Sequence, residues 1–505
     1  MVTRIARQAA AEAAPRMRRA ARQATRAAGS MLGLAGERMT KVDTAWLRMD
    51  SDHNLMMIMG VWTLEPRVDY DQLCARVQER LVQYARFRQK VVEDAAGATW
   101  VEDRAFDIHR HVVREKLPRT RKGGSGQAAL QARVGELAMQ PLDRGHPLWQ
   151  FHLVEDHDGG SALIARIHHC IADGIALISV MLSMVDGGTA APPARQERRE
   201  ERDDDWIGHT LVKPITEVAV KALDAAGDGA AASLKLLMEP HKGVDGTLEA
   251  ARLAYQVLSD AAALLLMPDD ATTRLKGQPA GKKHVAWCEP LPLDHVRAVS
   301  KALNCSINDV LLSCVAGAIG QYLRRHGDDT TGMDIRAMVP VNLRPLDQAH
   351  KLGNRFGLVP LVLPVGVENP IERVYEVRRR MDQLKGSTQP MLAFLVLTLS
   401  GLVIKPVQDA ILDLFGKKTT AVMTNVPGPR EKLKILGSTL QDVMFWVPQS
   451  GNIGLGVSIL SYGGRVQFGL IADAALCPRP QEIIDGFTPE FDRLALVTLM
   501  LPWGE

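Results

Sequence analysis

The sequence of 505 residues lacks the signatures that would assign it to a familiar catalytic class at once. No Gly-x-Ser-x-Gly elbow is present, so a covalent acyl-enzyme has no obvious nucleophile. The cysteines include no Cys-x-x-Cys pair, and this distribution predicts reduced thiols in a cytosolic protein. They are Cys74, Cys170, Cys288, Cys305, Cys314 and Cys477.

The sequence also lacks a hydrophobic run long enough to cross a membrane, which takes about 20 apolar residues. Its most apolar stretch, residues 391–404, predicts a buried helix, with partial insertion into a lipid surface as the alternative. The N-terminal extension, residues 1–36, is rich in Arg and Ala and has no continuous apolar core of a secretory signal. We interpret it either as a solvated tail or as a basic helix that rests on anionic lipid.

A strong charge imbalance is absent as well. The formal net charge is +3 with 24% charged residues, which does not indicate a nucleic-acid partner. The hydrophobic share of 46% is ordinary for a globular protein. A chain of this length exceeds what one core usually supports, so two large subdomains are expected.

The most informative stretch of the chain is residues 161–184, which predict a strand, a tight turn and a helix. Residues 151–155 and 161–168 are apolar runs around a polar connection that ends in glycine, which predicts a β-hairpin. After the turn, apolar residues recur close to helical spacing. The pattern His-His-x-x-x-Asp-Gly therefore stands at a strand-to-helix junction. Its members are His168, His169, Asp173 and Gly174.

This motif has the chemistry of a general base. An imidazole is the side chain best suited to accept a proton near neutral pH. Neighbours on a strand face opposite sides, so one of His168 and His169 should face a cleft while the other packs or supports it. Asp173 can cap the following helix or pair with a cation, and Gly174 can let the backbone turn. The alternatives are a metal site, which opposite-facing histidines fit poorly, and a structural histidine pair.

A second pattern lies in the C-terminal half of the chain. Ser306 precedes Asn308, Asp309 and an apolar helix over residues 310–322. Ser306 is a candidate helix cap, and a carboxylate at position 309 suits the first turn of a helix. This explains Asp309 structurally and leaves an active-site role of Asn308 and Asp309 open. Near the C terminus, Pro489 predicts that a final helix begins at residues 487–489.

The histidine motif resembles that of the HHxxxDG acyltransferases. These include chloramphenicol acetyltransferase, peptide-synthetase condensation domains and the bacterial wax ester synthase/diacylglycerol acyltransferase family. Further motifs are similar to those of the last family and follow its order. They are Pro147-Leu148-Trp149, Asn308-Asp309, and residues 339–344, 353–357 and 424–429. The resemblance runs from about Met39 to about Asp473, which is nearly the whole chain.

The resemblance implies an α/β (α+β) fold. We expect two chloramphenicol-acetyltransferase-like subdomains with the active-site tunnel at their interface. The expected parts are the basic extension 1–36, an N-terminal acyltransferase subdomain 37–186, a charged loop and helical connection 187–281, and a C-terminal acyltransferase subdomain 282–505.

The same resemblance implies an acyl-CoA-dependent O-acyltransferase that transfers a fatty acyl group to a long-chain alcohol or to diacylglycerol. His169 would be the general base, with His168 and Asp173 completing the catalytic group. No metal and no cofactor is expected, with acyl-CoA as co-substrate. The residues expected to support the site are Gly174, Asn308, Asp309, Pro147, Leu148 and Trp149.

Lipid substrates imply a cytoplasmic protein with peripheral contact to a membrane or lipid-droplet surface, and no nucleic-acid partner. Two other functions stay open. One is an acyltransferase or condensation enzyme that takes its acyl group from a carrier protein, although no carrier domain is recognisable in the chain. The other is a catalytically silent scaffold on lipid droplets, against which the intact histidine motif argues.

Overall fold

A computed structural model describes residues 36–94, 97–118, 126–188, 267–342, 352–354, 356–384 and 405–500. Most of the basic extension, most of the predicted connection and the whole predicted helix 391–404 lie outside these residues. The same holds for parts of the motifs at 339–344 and 353–357.

The described strands and helices alternate along the chain in an α/β arrangement. The strands are β1 Glu37–Arg38, β2 Met57–Glu65, β3 Gln89–Asp94, β4 Gly97–Glu102, β5 Val112–Glu115, β6 Trp149–His157, β7 Gly160–His168, β8 Lys283–Trp287, β9 Leu291–Pro292, β10 Ile335–Asn342, β11 Phe356–Leu363, β12 Ala421–Pro427, β13 Lys434–Ile435, β14 Ser438–Trp446, β15 Leu455–Tyr462 and β16 Arg465–Asp473. The helices are α1 Lys41–Arg48, α2 Tyr70–Arg80, α3 Ile108–His111, α4 Gly126–Ala138, α5 Gly174–Ser183, α6 Leu293–Ala302, α7 Ile307–Arg325, α8 Pro370–Leu384, α9 Lys405–Lys418 and α10 Gln481–Leu499.

The sheet that carries the histidine motif is built from both halves of the chain. Its strand order is β13–β14–β2–β7–β6–β5. In its centre β2 and β7 are antiparallel, with Met57 opposite His168. On the other side of β2 lies β14, with Trp446 opposite Met59. The N-terminal sheet is thus completed by a strand from the C-terminal half, and the predicted subdomain bounds describe chain segments rather than sheets.

The second large sheet has the order β11–β10–β12–β15–β16–β8, with β9 added to β16. Helices α6, α7, α8 and α10 pack together over it, and α7 is buried along most of its length. A smaller sheet, β1–β4–β3, lies beside α1. The mixture of sheets and helices confirms the predicted α/β fold class.

The β6–β7 hairpin confirms the sequence-based prediction, with strands longer than predicted. Its turn residues Asp158 and Gly159 both have positive φ, 48° and 84°, as a two-residue hairpin turn requires. The next residue, Gly160, lies so close to β2 that a β-carbon there would be 2.0 Å from the Leu64 carbonyl oxygen, so only glycine fits. The turn sequence therefore fixes the register that carries His168 to the end of β7.

The predicted start of the last helix is wrong. Helix α10 begins at Gln481 and contains Pro489 in its interior. The turns before the proline bury Ile483, Ile484 and Phe487 in the core of the C-terminal half. Burial of these side chains outweighs the helix-breaking tendency of Pro489. Proline has no N–H to donate to the carbonyl of Asp485, and both residues lie on the exposed face of the helix, where water can reach that carbonyl.

Within the described part of the chain, no single helix has both the length and the hydropathy to span a bilayer. Among the described helices, the pair α6 and α7 meets the criterion when taken together, and a bend of 100° separates them.

Asn54 ties the two large sheets together just before β2. It is 1% exposed, and its Oδ1 accepts a hydrogen bond from the buried Lys283 Nζ at 2.5 Å. Its Nδ2 donates to the carbonyls of Gly451 and Ile453 at 2.7 and 3.2 Å. Burial lowers the pKa of Lys283 to about 8, because the charged ammonium loses water. The Asp473 carboxylate acts against this shift, and the Asn54 amide oxygen accepts the hydrogen bond of the buried ammonium.

This contact predicts a strong effect of Asn54→Leu. We expect the free energy of unfolding to fall by about 3 kcal/mol, because a buried ammonium loses its partner. The double variant Asn54→Leu/Lys283→Met should be more stable than Asn54→Leu alone, since it removes the unpaired charge. Urea unfolding followed by circular dichroism measures both effects. Additive losses in the double variant would contradict the proposed coupling.

Candidate active site

The end of β7 places the two motif histidines in different surroundings. The His168 N–H donates to the Leu148 carbonyl at 3.0 Å, and the His169 N–H donates to the Met56 carbonyl at 2.7 Å. The His168 ring contacts Asp50, whereas the His169 ring stacks on Trp46. The expectation that the two side chains face different sides is therefore met.

His169 lies in an aromatic cage made by both halves of the chain. Its ring is 4.1 Å from that of Trp46, with 15° between the planes, and 5.5 Å from that of Phe356. Trp46 belongs to α1, and Phe356 begins β11 of the C-terminal sheet. The side chain is 3% exposed, so the imidazole is held in a dry environment.

The His169 imidazole is neutral at physiological pH. Burial lowers its pKa to about 4, with the nearby His168 acting in the same direction and Asp173 acting against it. Its Nδ1 is buried without a hydrogen-bond partner among the described residues. A neutral ring keeps a lone pair on one nitrogen, which can accept a proton.

His168 has protein partners at both ring nitrogens. Nδ1 accepts a hydrogen bond from the Cys170 N–H at 3.1 Å, and Nε2 lies 3.3 Å from both oxygens of Asp50. Burial acts to lower the pKa of His168, whereas the Cys170 sulfur and the Asp50 carboxylate act to raise it. Both nitrogens of the His168 ring therefore have hydrogen-bond partners, whereas Nδ1 of His169 has none among the described residues.

Asp173 caps helix α5, which is one of the two roles predicted for it. Its side chain accepts a hydrogen bond from the Ala176 N–H at 2.9 Å, and its own N–H donates to the Gly353 carbonyl at 3.2 Å. Gly174 does not have the positive φ that would require glycine, and a β-carbon there would contact nothing within 4 Å. The turn therefore does not depend on glycine at this position, and the space beside it is open.

Asn354 braces the backbone of His169 from the C-terminal half. Its Nδ2 donates to the His169 carbonyl and to Asp43 Oδ1, both at 2.8 Å, and its N–H donates to the same Asp43 oxygen at 3.2 Å. Asp43 is completely buried, and burial raises its pKa although Arg86 at 4.0 Å opposes this. The motif at 353–357 thus reaches the histidine through a side-chain amide.

The Pro147–Trp149 segment packs beneath the motif. The Leu148 carbonyl accepts the His168 N–H, and Trp149 Nε1 donates to the Phe87 carbonyl at 2.8 Å. The Trp149 ring is 1% exposed and stacks on His111 at 4.5 Å. Its contacts are those of a core residue that supports the start of β6.

Asn308 and Asp309 stand at the N-terminus of α7. Ser306 and Asp309 form a reciprocal capping box, as the sequence predicts, with hydrogen bonds of 3.1 and 2.8 Å. Asn308 is exposed, and its Oδ1 accepts a hydrogen bond from Asn425 Nδ2 at 2.9 Å. The structure therefore joins two of the sequence motifs, Asn308-Asp309 and that at 424–429.

The sequence alone did not assign roles to Trp46, Asp50 and Asn354. Asn354 gave a signal only as a member of the motif at 353–357. Asp50 lies in the loop after α1 and has no local pattern, because its partners Met56 and His168 are set by sheet register. The described residues contain no group of three or more His, Cys, Asp or Glu side chains that could hold a metal ion.

The low pKa of His169 predicts a dependence of stability on pH. Between the ordinary histidine pKa of about 6.5 and the folded value of about 4, the unfolded chain binds a proton that the folded chain does not. Acidification through this window should therefore cost up to about 3 kcal/mol of unfolding free energy. His169→Phe keeps an aromatic ring but cannot titrate, so it should lose less stability over the same range. Parallel urea-unfolding curves for the two proteins would contradict the assignment.

Comparisons with known proteins agree with this geometry. Residues 39–311 match the wax ester synthase/diacylglycerol acyltransferase catalytic domain, and residues 352–495 match the WS/DGAT C-terminal domain. A probable diacylglycerol O-acyltransferase, tgs1 of Mycobacterium tuberculosis, is 27% identical over 474 residues, which cover 91% of this chain and 96% of that protein.

The solved structures that are similar share the fold. The wax ester synthase/diacylglycerol acyltransferase from Marinobacter aquaeolei VT8 has a TM-score of 0.62 and 20% identity, and the match covers 92% of this chain and 99% of that one. The condensation domain of the monacolin K polyketide synthase MokA has a TM-score of 0.56 and 12% identity, over 92% and 98% of the two chains. The catalytic-domain match spans more than half of the chain. The chain belongs to the wax ester synthase/diacylglycerol acyltransferase family of acyltransferases.

Proposed function

We propose that this acyltransferase transfers a fatty acyl group from acyl-CoA to the hydroxyl group of a long-chain alcohol or diacylglycerol, with His169 as general base. The observation that carries the proposal is the neutral, buried His169 imidazole, which has an unpartnered nitrogen and lies in an aromatic cage. Family membership supports the substrate class. The acyl chain and the acceptor lipid would be apolar enough to enter such a site, and exclusion of water would suppress hydrolysis of the thioester.

In the proposed reaction a ring nitrogen of His169 accepts the hydroxyl proton while the acceptor oxygen attacks the thioester carbonyl carbon. The tetrahedral intermediate then collapses with cleavage of the carbon–sulfur bond. The imidazolium returns its proton to the sulfur, which gives free CoA thiol, the ester and neutral His169. A pKa near 4 keeps the base unprotonated and makes its conjugate acid a good proton donor to the leaving thiolate.

The other motif residues have supporting roles in this proposal. His168 holds the turn, since both of its ring nitrogens have protein partners. Asp173 caps the start of α5. Asn308, exposed at the start of α7, stabilises the charge of a reacting group or orients it. Asp309 and the Pro147–Trp149 segment stabilise these elements. No prosthetic group or metal takes part, and acyl-CoA is the co-substrate.

We also propose that the protein is cytoplasmic and makes peripheral contact with a membrane or lipid-droplet surface, where its acceptors lie. All six cysteines are unpaired, which is compatible with a reducing compartment. The Arg-rich extension supplies positive charge that anionic lipid would attract.

The first test is release of CoA thiol from palmitoyl-CoA by the purified protein, with hexadecanol, with diacylglycerol and without acceptor. We expect acceptor-dependent release that falls at least about 100-fold in His169→Ala, because the general base is lost. His168→Ala should lose less, since its role is support. His295→Ala removes an exposed histidine of α6 and should keep full activity.

A folded His169→Ala protein with full activity would refute the proposed base. If neither acceptor supports release by the wild type, acyl groups bound to a carrier protein are the next donors to test. Failure with both donor classes would favour the silent scaffold.

Deletion of residues 1–36 tests the lipid contact. We expect weaker co-sedimentation with vesicles of anionic phospholipid, because the extension carries seven Arg within its first 28 residues against one Glu. Binding to vesicles of neutral phospholipid is the control and should change little. Equal binding of both proteins to anionic vesicles would show that the extension does not contribute.

A further inference from the structure

The Asp50 carboxylate closes a ring of hydrogen bonds behind His169. Its Oδ1 accepts from the Met56 N–H at 2.7 Å, and both of its oxygens lie 3.3 Å from His168 Nε2. The Met56 carbonyl in turn accepts the His169 N–H at 2.7 Å. One side chain therefore holds the strand residue to which His169 is bonded and also the histidine that precedes it.

The second nitrogen of His168 determines where the ring proton lies. Nδ1 accepts a hydrogen bond from the Cys170 N–H at 3.1 Å, and a nitrogen that accepts carries no proton. The proton is therefore on Nε2, where an ionised carboxylate, which only accepts hydrogen bonds, receives it. The His168 ring cannot turn over without breaking one of these two contacts.

We propose that Asp50 is a positioning residue for acyl transfer. It fixes the orientation of His168 and, through His168 and Met56, sets the backbone of His169 so that its ring stacks on Trp46. The inference rests on the proposed function of His169 as general base. The contacts of Asp50 given above are with Met56, His168 and Arg144, so its proposed role is carried by these neighbours.

An amide at position 50 is a poorer partner than the carboxylate. If its oxygen takes the place of Oδ1 and accepts from the Met56 N–H, its NH₂ group takes the place of Oδ2, so one of the two acceptors that face the Nε2–H of His168 becomes a donor. Moving the ring proton to Nδ1 only transfers the conflict to the Cys170 N–H. Asp50→Asn therefore preserves the size of the side chain and removes one hydrogen-bond acceptor for His168 Nε2.

A matched control separates this role from the ion pairs of the same region. Arg144 contacts Asp50 at 3.3 Å and also Glu93 at 2.9 Å. Glu93 has no contact with His168 among those described, so Glu93→Gln weakens the arginine network without touching the ring. Asp50→Glu keeps the carboxylate with a longer side chain and tests rescue by a conservative change.

The experiment combines kinetics with nitrogen NMR of the full-length chain labelled at histidine. In Asp50→Asn we expect kcat to fall on the order of 10- to 100-fold, as small misplacement of a reacting group does, with an unchanged KM for acyl-CoA. Glu93→Gln should have wild-type kinetics, and Asp50→Glu should recover part of the loss. The His168 spectrum of the wild type should show a proton on Nε2, and that of Asp50→Asn should show the change of protonation or orientation.

A wild-type spectrum in which His168 Nε2 carries no proton would overturn the inference, and this measurement does not require a variant that folds. Wild-type kcat in a folded Asp50→Asn protein would overturn it as well. If the wild type transfers no acyl group, the proposed function fails, and the NMR result still reports separately on the hydrogen-bond ring.

Discussion

The antiparallel register between β2 and β7 is the constraint on which the whole site depends. It places Met57 opposite His168 and brings the Met56 carbonyl to the His169 N–H. Because side chains alternate along a strand, a slip of one residue would exchange the surroundings of the two histidines. The close approach of Gly160 to the Leu64 carbonyl leaves no room for a β-carbon at this position in the register observed.

The site also depends on the contact of the two halves. The His169 ring stacks on Trp46 of the N-terminal half and makes a tilted contact with Phe356 of the C-terminal half, and its carbonyl accepts a hydrogen bond from Asn354. Each contact removes a degree of freedom from the same residue. In the proposed reaction, a histidine that is buried and oriented before substrate arrives loses little entropy.

The hairpin, the helix after the motif and the capping box at Ser306 and Asp309 could be predicted from sequence, because each depends on neighbouring residues. The family and the fold class followed from the order of several motifs. The partners of Asp50 and Asn354 could not be predicted, since they are set by sheet register and by contacts between residues that are far apart in the chain. The start of α10 was predicted wrongly because a local proline signal at Pro489 was outweighed by burial in the core.

The insertion of β14 beside β2 has a consequence for how the chain folds. Trp446 pairs with Met59, which lies much earlier in the chain, so β2 can pair with β7 on one side but has an unpaired edge on the other until β14 has been synthesised. Pairings of such high contact order form slowly, and the waiting strand edge is prone to aggregation. The sheet that carries the two histidines is therefore complete only after β14 has been made, and the nascent N-terminal half exposes the edge of β2 until then.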